Sequence, residues 1–411
     1  MAERPRGGST RTPARTALQS IRDTQHTPYM VLKREVQPVG SSPLAKLFPP
    51  LPSSDSVDLR HILGVLTLVS FTSEIGVDLG TSKLAIFSRE KGVAHIGPSV
   101  VGRRVDTGEV AAVGWSALEA AAAEPGSIEL RHPVRGAYIQ DLDMAVCLLE
   151  RAIQGLGLGP VGAHPHVVAA APCQLTSLQR RTLVQALELS GARSVEVVPG
   201  VVAAAAGAGL DPHSADGIML VDMGAGCTDV ALISMGEVVH SEALLVGGDS
   251  MSESIARLVR RECCIELSEA MSEQVKMEAF KPGVDSVRVK GIRAVDGLPG
   301  EACVSCVDIV KAAYASVPPI LEAAARVLEK AGPELSGDIV NRGIVFAGGA
   351  SLLSGLSHVV REKLGLPVSI ADGAVLACAR GFCQLLEKPA WSLPGPARRA
   401  FAGLGFRLGG R

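Results

Sequence analysis

The chain predicts an α/β fold of two similar lobes with helices covering the sheets, and three observations carry that expectation. Short apolar runs alternate with longer amphipathic ones, the pattern of strands packed under helices. A strand, a Gly-containing turn and a returning strand, led by an aspartate, occur at Asp78 and again 144 residues on at Asp222. The 411 residues are 47% hydrophobic and 20% charged, with a mean hydropathy of +0.28. Those values exclude a wholly disordered chain, a collagen and a coiled coil.

Taken in order, residues 1–72 read as an extension, basic and rich in Pro, Ser and Arg, with a short apolar segment at its end. Residues 1–60 hold eight prolines and no sustained period, a composition that favours disorder. The basic start is followed by no apolar run, so no secretory signal is expected. Nine cysteines then point to a reducing cytoplasm rather than a disulfide scaffold. His61–Phe71 is about half the ~20 residues a membrane-spanning helix needs; it reads as a buried element leading into the fold, with an interfacial segment as the alternative. Residues 73–388 form the core, with strands at Ile75–Leu79, Val167–Ala171, Val195–Val198, Ile218–Val221 and Ile344–Ala347. Helices are expected at Asp141–Leu156, Leu175–Leu189, Ser250–Cys263 and Ala313–Lys330. Lobe I is placed at about 73–216 plus 363–388 and lobe II at about 217–362. The end, 389–411, carries Arg398, Arg399, Arg407 and Arg411 with Trp391, Phe401 and Phe406, a weakly interfacial composition in a segment too rich in Gly and Pro for a stable helix. Lys plus Arg total 40 against 42 acids, so no overall charge argues for nucleic acid as a partner.

The first informative segment is Glu74-Ile75-Gly76-Val77-Asp78-Leu79-Gly80-Thr81-Ser82-Lys83-Leu84. Gly80 lets backbone N–H groups approach an anion, Thr81 and Ser82 add hydroxyls, and Lys83 adds charge. Asp78 at the strand end can orient water around Mg²⁺, an ion that keeps most of its hydration shell. Alone, the segment also reads as an ordinary hairpin turn. The second copy, Val221-Asp222-Met223-Gly224-Ala225-Gly226-Cys227-Thr228-Asp229, makes the pair more specific: two aspartate-led hairpins suggest lobes that grip phosphates from both sides, with the metal between Asp78 and Asp222. Neither is a G-x-x-x-x-G-K-[ST] loop or a G-x-G-x-x-G fingerprint. A third segment, Phe346-Ala347-Gly348-Gly349-Ala350-Ser351, reads as a strand breaking at paired glycines into a helix, a turn that packs flat against a purine or ribose. Glu273-Gln274-Val275-Lys276 puts Glu273 and Lys276 on one helix face, within reach of ribose hydroxyls or, equally, in a surface salt bridge.

In this order the motifs resemble the actin, sugar kinase and heat-shock chaperone superfamily, and most closely the MreB/Mbl family of bacterial actin-like filament proteins. The likeness runs from about Ser73 to Lys388. It extends to Pro98-Ser99-Val100-Val101, Gly136-Ala137-Tyr138-Ile139-Gln140-Asp141, Gly248-Asp249-Ser250-Met251 and Asp338-Ile339-Val340-Asn341-Arg342-Gly343. The resemblance implies a two-lobed actin-like ATPase fold with ATP and Mg²⁺ in the interlobe cleft. It also implies membrane-associated homopolymeric filaments at the inner face of the cell membrane, and partners among cell-wall synthesis and morphogenesis proteins. One departure concerns catalysis. Where the family reads Ile-Glu-Glu-Pro, this chain has Val198-Pro199-Gly200-Val201-Val202, with no carboxylate to orient the water that attacks the γ-phosphate. Glu196 lies two or three residues earlier, about 7–10 Å away at ~3.3 Å per strand residue. Gly224-Ala225-Gly226-Cys227 replaces Gly-Gly-Gly-Thr, and Ala350 stands where Gly is usual. ATP binding is therefore expected, with hydrolysis slow or absent and no catalytic residue assigned.

Cys303-x-x-Cys306 lacks the further ligands a zinc site needs, and its alternation fits a strand; Cys227, Cys263 and Cys264 read as small core or turn residues. The His residues form no H-E-x-x-H pattern. Other functions on this fold are a sugar or acetate kinase, for which 73–388 lacks room for substrate-binding inserts, and a chaperone, for which too little chain follows Lys388. A non-polymerising membrane adaptor is a third, favoured by the missing glutamate and the basic, aromatic tail.

Overall fold

A computed structural model describes residues 73–158 and 164–387. The N-terminal extension, the apolar segment His61–Phe71 and the tail from 389 lie outside the described residues.

The chain first lays down β1 (Glu74–Leu79), β2 (Lys83–Ser88) and β3 (Gly92–Pro98) as an antiparallel meander. A small sheet follows from β4 (Val101–Arg104), β5 (Val110–Val113) and β6 (Ile128–Arg131), with α1 (Trp115–Ala123) between the last two. The ribbon of β7 (Val134–Arg135) and β8 (Tyr138–Ile139) leads to α2 (Leu142–Gly155), and this helix returns the chain to β9 (His166–Ala171), parallel to β1. Next come α3 (Ser177–Leu189), β10 (Ser194–Pro199), parallel to β9, and α4 (Gly200–Gly207).

The same plan then repeats. β11 (Ile218–Met223), β12 (Thr228–Ser234) and β13 (Glu237–Leu244) form a second meander. An insertion carries α5 (Gly248–Cys263), β14 (Ile265–Glu266), α6 (Glu269–Ala279), β15 (Ser286–Arg293) and β16 (Pro299–Ser305), whose strands make another three-stranded sheet. Helices α7 (Cys306–Tyr314), α8 (Pro318–Glu329) and α9 (Pro333–Arg342) lead to β17 (Ile344–Ala347), parallel to β11. Finally α10 (Leu356–Leu364) precedes β18 (Val368–Ile370), parallel to β17, and α11 (Ala377–Glu387) follows. The two large sheets thus run β10-β9-β1-β2-β3 and β13-β12-β11-β17-β18.

Local chemistry explains these elements. β12 is buried at every position, as a strand covered on both faces must be, and its middle, Val230–Ile233, is a continuous apolar run. α2 buries Met144, Ala145, Leu148, Leu149 and Ala152 along one stripe, and the Asp141 carboxylate accepts the Met144 N–H at 3.0 Å to cap it. Thr176 and Gln179 form a reciprocal capping box on α3.

One sequence expectation is corrected. Ala313–Lys330 is not one helix: it spans the end of α7 and all of α8, because Pro318 and Pro319 cannot donate backbone hydrogen bonds within a continuous helix and instead open a new one. β18 hydrogen-bonds to β17, which places Val368–Ile370 in the second sheet. Where α4 and α11 cross, backbone meets backbone: a Cβ on Gly207 would sit 1.8 Å from the Ala377 carbonyl oxygen, and one on Gly381 would sit 1.7 Å from that of Ala203. Phe382, wholly buried, packs beside this crossing under β1.

Candidate functional site

The two aspartates occupy equivalent positions. Asp78 pairs with Ala85 on β2 and Ala170 on β9; Asp222 pairs with Asp229 on β12 and Ala347 on β17. Both turns close identically, Gly80 N–H to the Lys83 carbonyl at 2.9 Å and Gly224 N–H to the Cys227 carbonyl at 2.9 Å. Lys83 is thus the counterpart of Cys227, and Ala85 of Asp229.

The side chains at these positions set the field. Lys83 Nζ donates to Asp78 Oδ2 at 2.9 Å, with the two side chains 20% and 17% exposed. Burial by itself would push the Lys83 ammonium down, but Asp78 beside it and Asp222 nearby hold its pKa above the ordinary value. Burial raises Asp222 to about 6, the Asp78 charge adds to the rise, and Lys83 opposes it. Asp229, 6% exposed, is raised by burial and by Asp222 to about 7. Burial, reinforced by the surrounding carboxylates, pushes the Cys227 thiol well up, so it is a neutral group here. Three carboxyl groups, two of them shifted towards their neutral form, therefore surround one ammonium.

The site is braced from both sheets. Asp229 Oδ1 accepts the Cys173 N–H at 3.2 Å from the loop after β9, and Gln174 Nε2 donates to the Ser241 carbonyl of β13 at 3.0 Å. Across the mouth, Arg135 pairs with Glu269 at 3.4 Å. The first two residues of α5 donate into the second turn, Gly248 N–H to the Gly224 carbonyl at 3.0 Å and Asp249 N–H to the Ala225 carbonyl at 2.9 Å.

The residues singled out by sequence do not all present side chains to the cleft. Thr81 Oγ1 accepts the Ala137 N–H at 3.1 Å, and the Ser82 carbonyl accepts the Ser99 N–H at 3.0 Å. Thr228 is fully buried and its hydroxyl donates to the Val246 carbonyl at 2.7 Å, so that hydroxyl is spent within the fold. Gly348 takes φ 81°, and a Cβ there would sit 2.6 Å from the Asp222 carboxylate, whereas the space over Gly349 is open. The segment after the glycines is a 3₁₀ turn, Gly349–Leu352, rather than the start of a helix; Ala350 is buried, and Ser351 Oγ, also buried, donates to the Gly348 carbonyl at 2.7 Å. The α6 pair forms the i,i+3 salt bridge, but Lys276 turns inward rather than to the surface or the cleft. Lys276 is 3% exposed, donating to the Gly248 carbonyl at 2.8 Å and pairing with Glu273 at 2.6 Å, while Ser252 Oγ donates to Glu273 at 2.7 Å. Lys276 is an internal brace, Val275 is core, and Glu273 with exposed Gln274 remains accessible.

At the position of the absent glutamate, Pro199 ends β10 opposite Ala171, and Gly200 opens α4 with no side-chain cap. Glu196 is on the same strand, opposite Val168, and its pKa is raised by burial and lowered by His166 and Arg180. It belongs to that surrounding, not to the cleft. Asp229 was passed over in the sequence. Its signal is its spacing: with the turn closed between Gly224 and Cys227, residue 229, the one acid on β12, must stand opposite Asp222.

Comparison with known proteins gives a consistent picture. The sequence profile described as MreB/Mbl protein matches residues 72–392. Cell shape-determining protein Mbl of Bacillus subtilis is 32% identical over 321 residues, 77% of this chain and 96% of its own. Cell shape-determining protein MreB of Escherichia coli K12 is 33% identical over 326 residues, 77% of this chain and 94% of its own. Among solved structures, MreB5 of Spiroplasma citri bound to AMPPNP superposes with a TM-score of 0.71 at 27% identity, covering 81% of this chain and 99% of its own. The same protein has been solved bound to ADP, also with a TM-score of 0.71.

Proposed function

The chain belongs to the MreB/Mbl family, with its actin-like fold, and on that premise we propose that it is an ATP-binding cytoskeletal subunit that assembles into filaments at the inner face of the cell membrane. In this reading it contributes to cell shape by organising wall synthesis, as the names of its curated relatives suggest. The lobes we assign as about 73–216 with α11, and 217–370. The observation that carries the reading is the pair of aspartates at equivalent register positions in two repeated sheets, each beside a turn of small residues.

Asp78 and Asp222 would hold Mg²⁺ through water. The donors are oxygen, which suits that ion, and no cluster of three metal-ligating side chains is found among the described residues, so water and phosphate would complete the shell. When bound, Mg²⁺ neutralises phosphate charge. The chain's own contribution is Lys83 as a phosphate contact, the backbone of Gly80–Ser82 and Gly224–Gly226 as anion donors, and open backbone at Gly349 with Glu273 for the nucleoside. Hydrolysis is slow in this reading because neither Pro199 nor Gly200 can accept a proton from, or orient, the attacking water.

Sedimentation with and without ATP and anionic liposomes, read together with phosphate release, tests the proposal. Expected are ATP-dependent pelleting with lipid and slow phosphate release that Gly200→Glu accelerates. Phosphate release at the rate of an ordinary family member, abolished by Asp222→Ala, would refute slow turnover. Nucleotide binding without any pelletable polymer would favour the membrane adaptor that the lost glutamate also suits.

A further inference from the structure

Lys83 does something that its counterpart in the second hairpin does not. Asp78 stands opposite Ala85, and Lys83 lies two residues before Ala85, so all three share one face and the ammonium reaches Asp78 along the diagonal of the ladder. In the second hairpin the equivalent position is Cys227, and the turn closes with the same 2.9 Å hydrogen bond. The turn therefore requires no cation at this position. A lysine there has to be desolvated, and Asp78, with Asp222 nearby, repays that cost. One-fifth of its side chain nevertheless stays exposed.

Its placement bears on magnesium. Two aspartates that orient a hydrated divalent ion attract it by their charge, and a fixed ammonium on one of them cancels part of that attraction while repelling the ion directly. A triphosphate changes the balance, because its oxygens accept from the same ammonium in a charge-assisted hydrogen bond.

Resting on the nucleotide-binding reading above, we propose that Lys83 is a built-in cation that takes over part of the role of magnesium, so that adenine nucleotides bind with only weak dependence on Mg²⁺ and Mg²⁺ alone binds poorly. Lys83 is in this sense the residue that sets the metal dependence of the site.

The test is titration of the full-length chain with ADP and with ATP by calorimetry, in excess Mg²⁺ and in EDTA, for wild type, Lys83→Asn and Lys83→Arg. A hydrogen bond to a charged group corresponds to a factor of about 10–100 in affinity. Wild type and Lys83→Arg should therefore lose less than about tenfold in EDTA, and Lys83→Asn at least about tenfold more than wild type. In thermal melts without nucleotide, MgCl₂ should raise the melting temperature of Lys83→Asn and leave wild type nearly unmoved. Equal EDTA factors for wild type and Lys83→Asn overturn the inference while leaving nucleotide binding intact. Should Lys83→Asn fail to fold, wild type decides alone: a loss of about a hundredfold or more in EDTA overturns it. No adenine-nucleotide binding by wild type in Mg²⁺ overturns the underlying reading and this inference together.

Discussion

Asp222 and Asp229 stand opposite one another on neighbouring strands, and this is a source of instability as well as of function. Both carboxyls titrate above the ordinary Asp value, at about 6 and about 7. A carboxyl raised in the folded protein binds more protons there than in the unfolded chain, so its contribution to stability is present at low pH and is lost as pH rises through the folded pKa. For metal-free protein this predicts that stability from this pair falls between about pH 4 and pH 7 and then levels off, by roughly 1–3 kcal/mol. Urea unfolding in EDTA across that range checks it. Asp229→Asn removes one titrating group and should gain on wild type as pH rises; a constant difference would refute the assignment. Little of this was legible beforehand. Asp78 and Asp222 stand out in the sequence because each precedes a turn of small residues, but Asp229 becomes conspicuous only once the register is known, and Thr228 looks available until its hydroxyl is found bonded to Val246.

Elements were legible where a single signal dominated. The apolar runs of β1, β9, β11 and β17 identify themselves because strands covered on both faces are built mostly from apolar residues. Helices α2 and α3 were visible through their amphipathic runs, and the structure adds the Thr176 cap of α3, whose replacement by Ala should cost about 1 kcal/mol in urea unfolding. The α7–α8 junction was misread because Ala, Leu and Val continue the helical period on both sides of Pro318, and the proline pair outweighed that period. The inward turn of Lys276 was also hidden: an i,i+3 pair looks the same in sequence whether it faces water or a backbone carbonyl. The crossing of α4 with α11 makes a sharper prediction. Gly381→Ala must force the helices apart or shift the backbone, at a cost of about 2–3 kcal/mol or more. Chemical denaturation measures it, and a loss below 1 kcal/mol would mean that the crossing has slack.

At the scale of the whole molecule, the described contacts between the sheets are of unequal weight. The Asp229–Cys173 hydrogen bond beside the site is part-buried, whereas the Gln174–Ser241 bond is exposed and Arg135 and Glu269 are each 59% exposed. An exposed pair of this kind contributes about 0–1 kcal/mol. Glu269→Ala should therefore leave thermal stability nearly unchanged, while Asp229→Ala, which removes the acceptor of the Cys173 N–H, should speed exchange of a fluorescent adenine nucleotide several-fold by loosening the inner contact. Stopped-flow chase experiments on both variants compare them, and equal exchange rates would argue against an inner latch.

The repeated plan of the two sheets leads to a last consequence. A vice with identical faces would hold a linear polyanion equally well in either direction. Here the faces differ at matched places, ammonium against thiol at Lys83 and Cys227, methyl against carboxylate at Ala85 and Asp229. That inequality supplies a compass: the more negative end of a bound chain of phosphates is drawn toward one jaw and turned from the other, so the guest has one orientation in a host built from a doubled design.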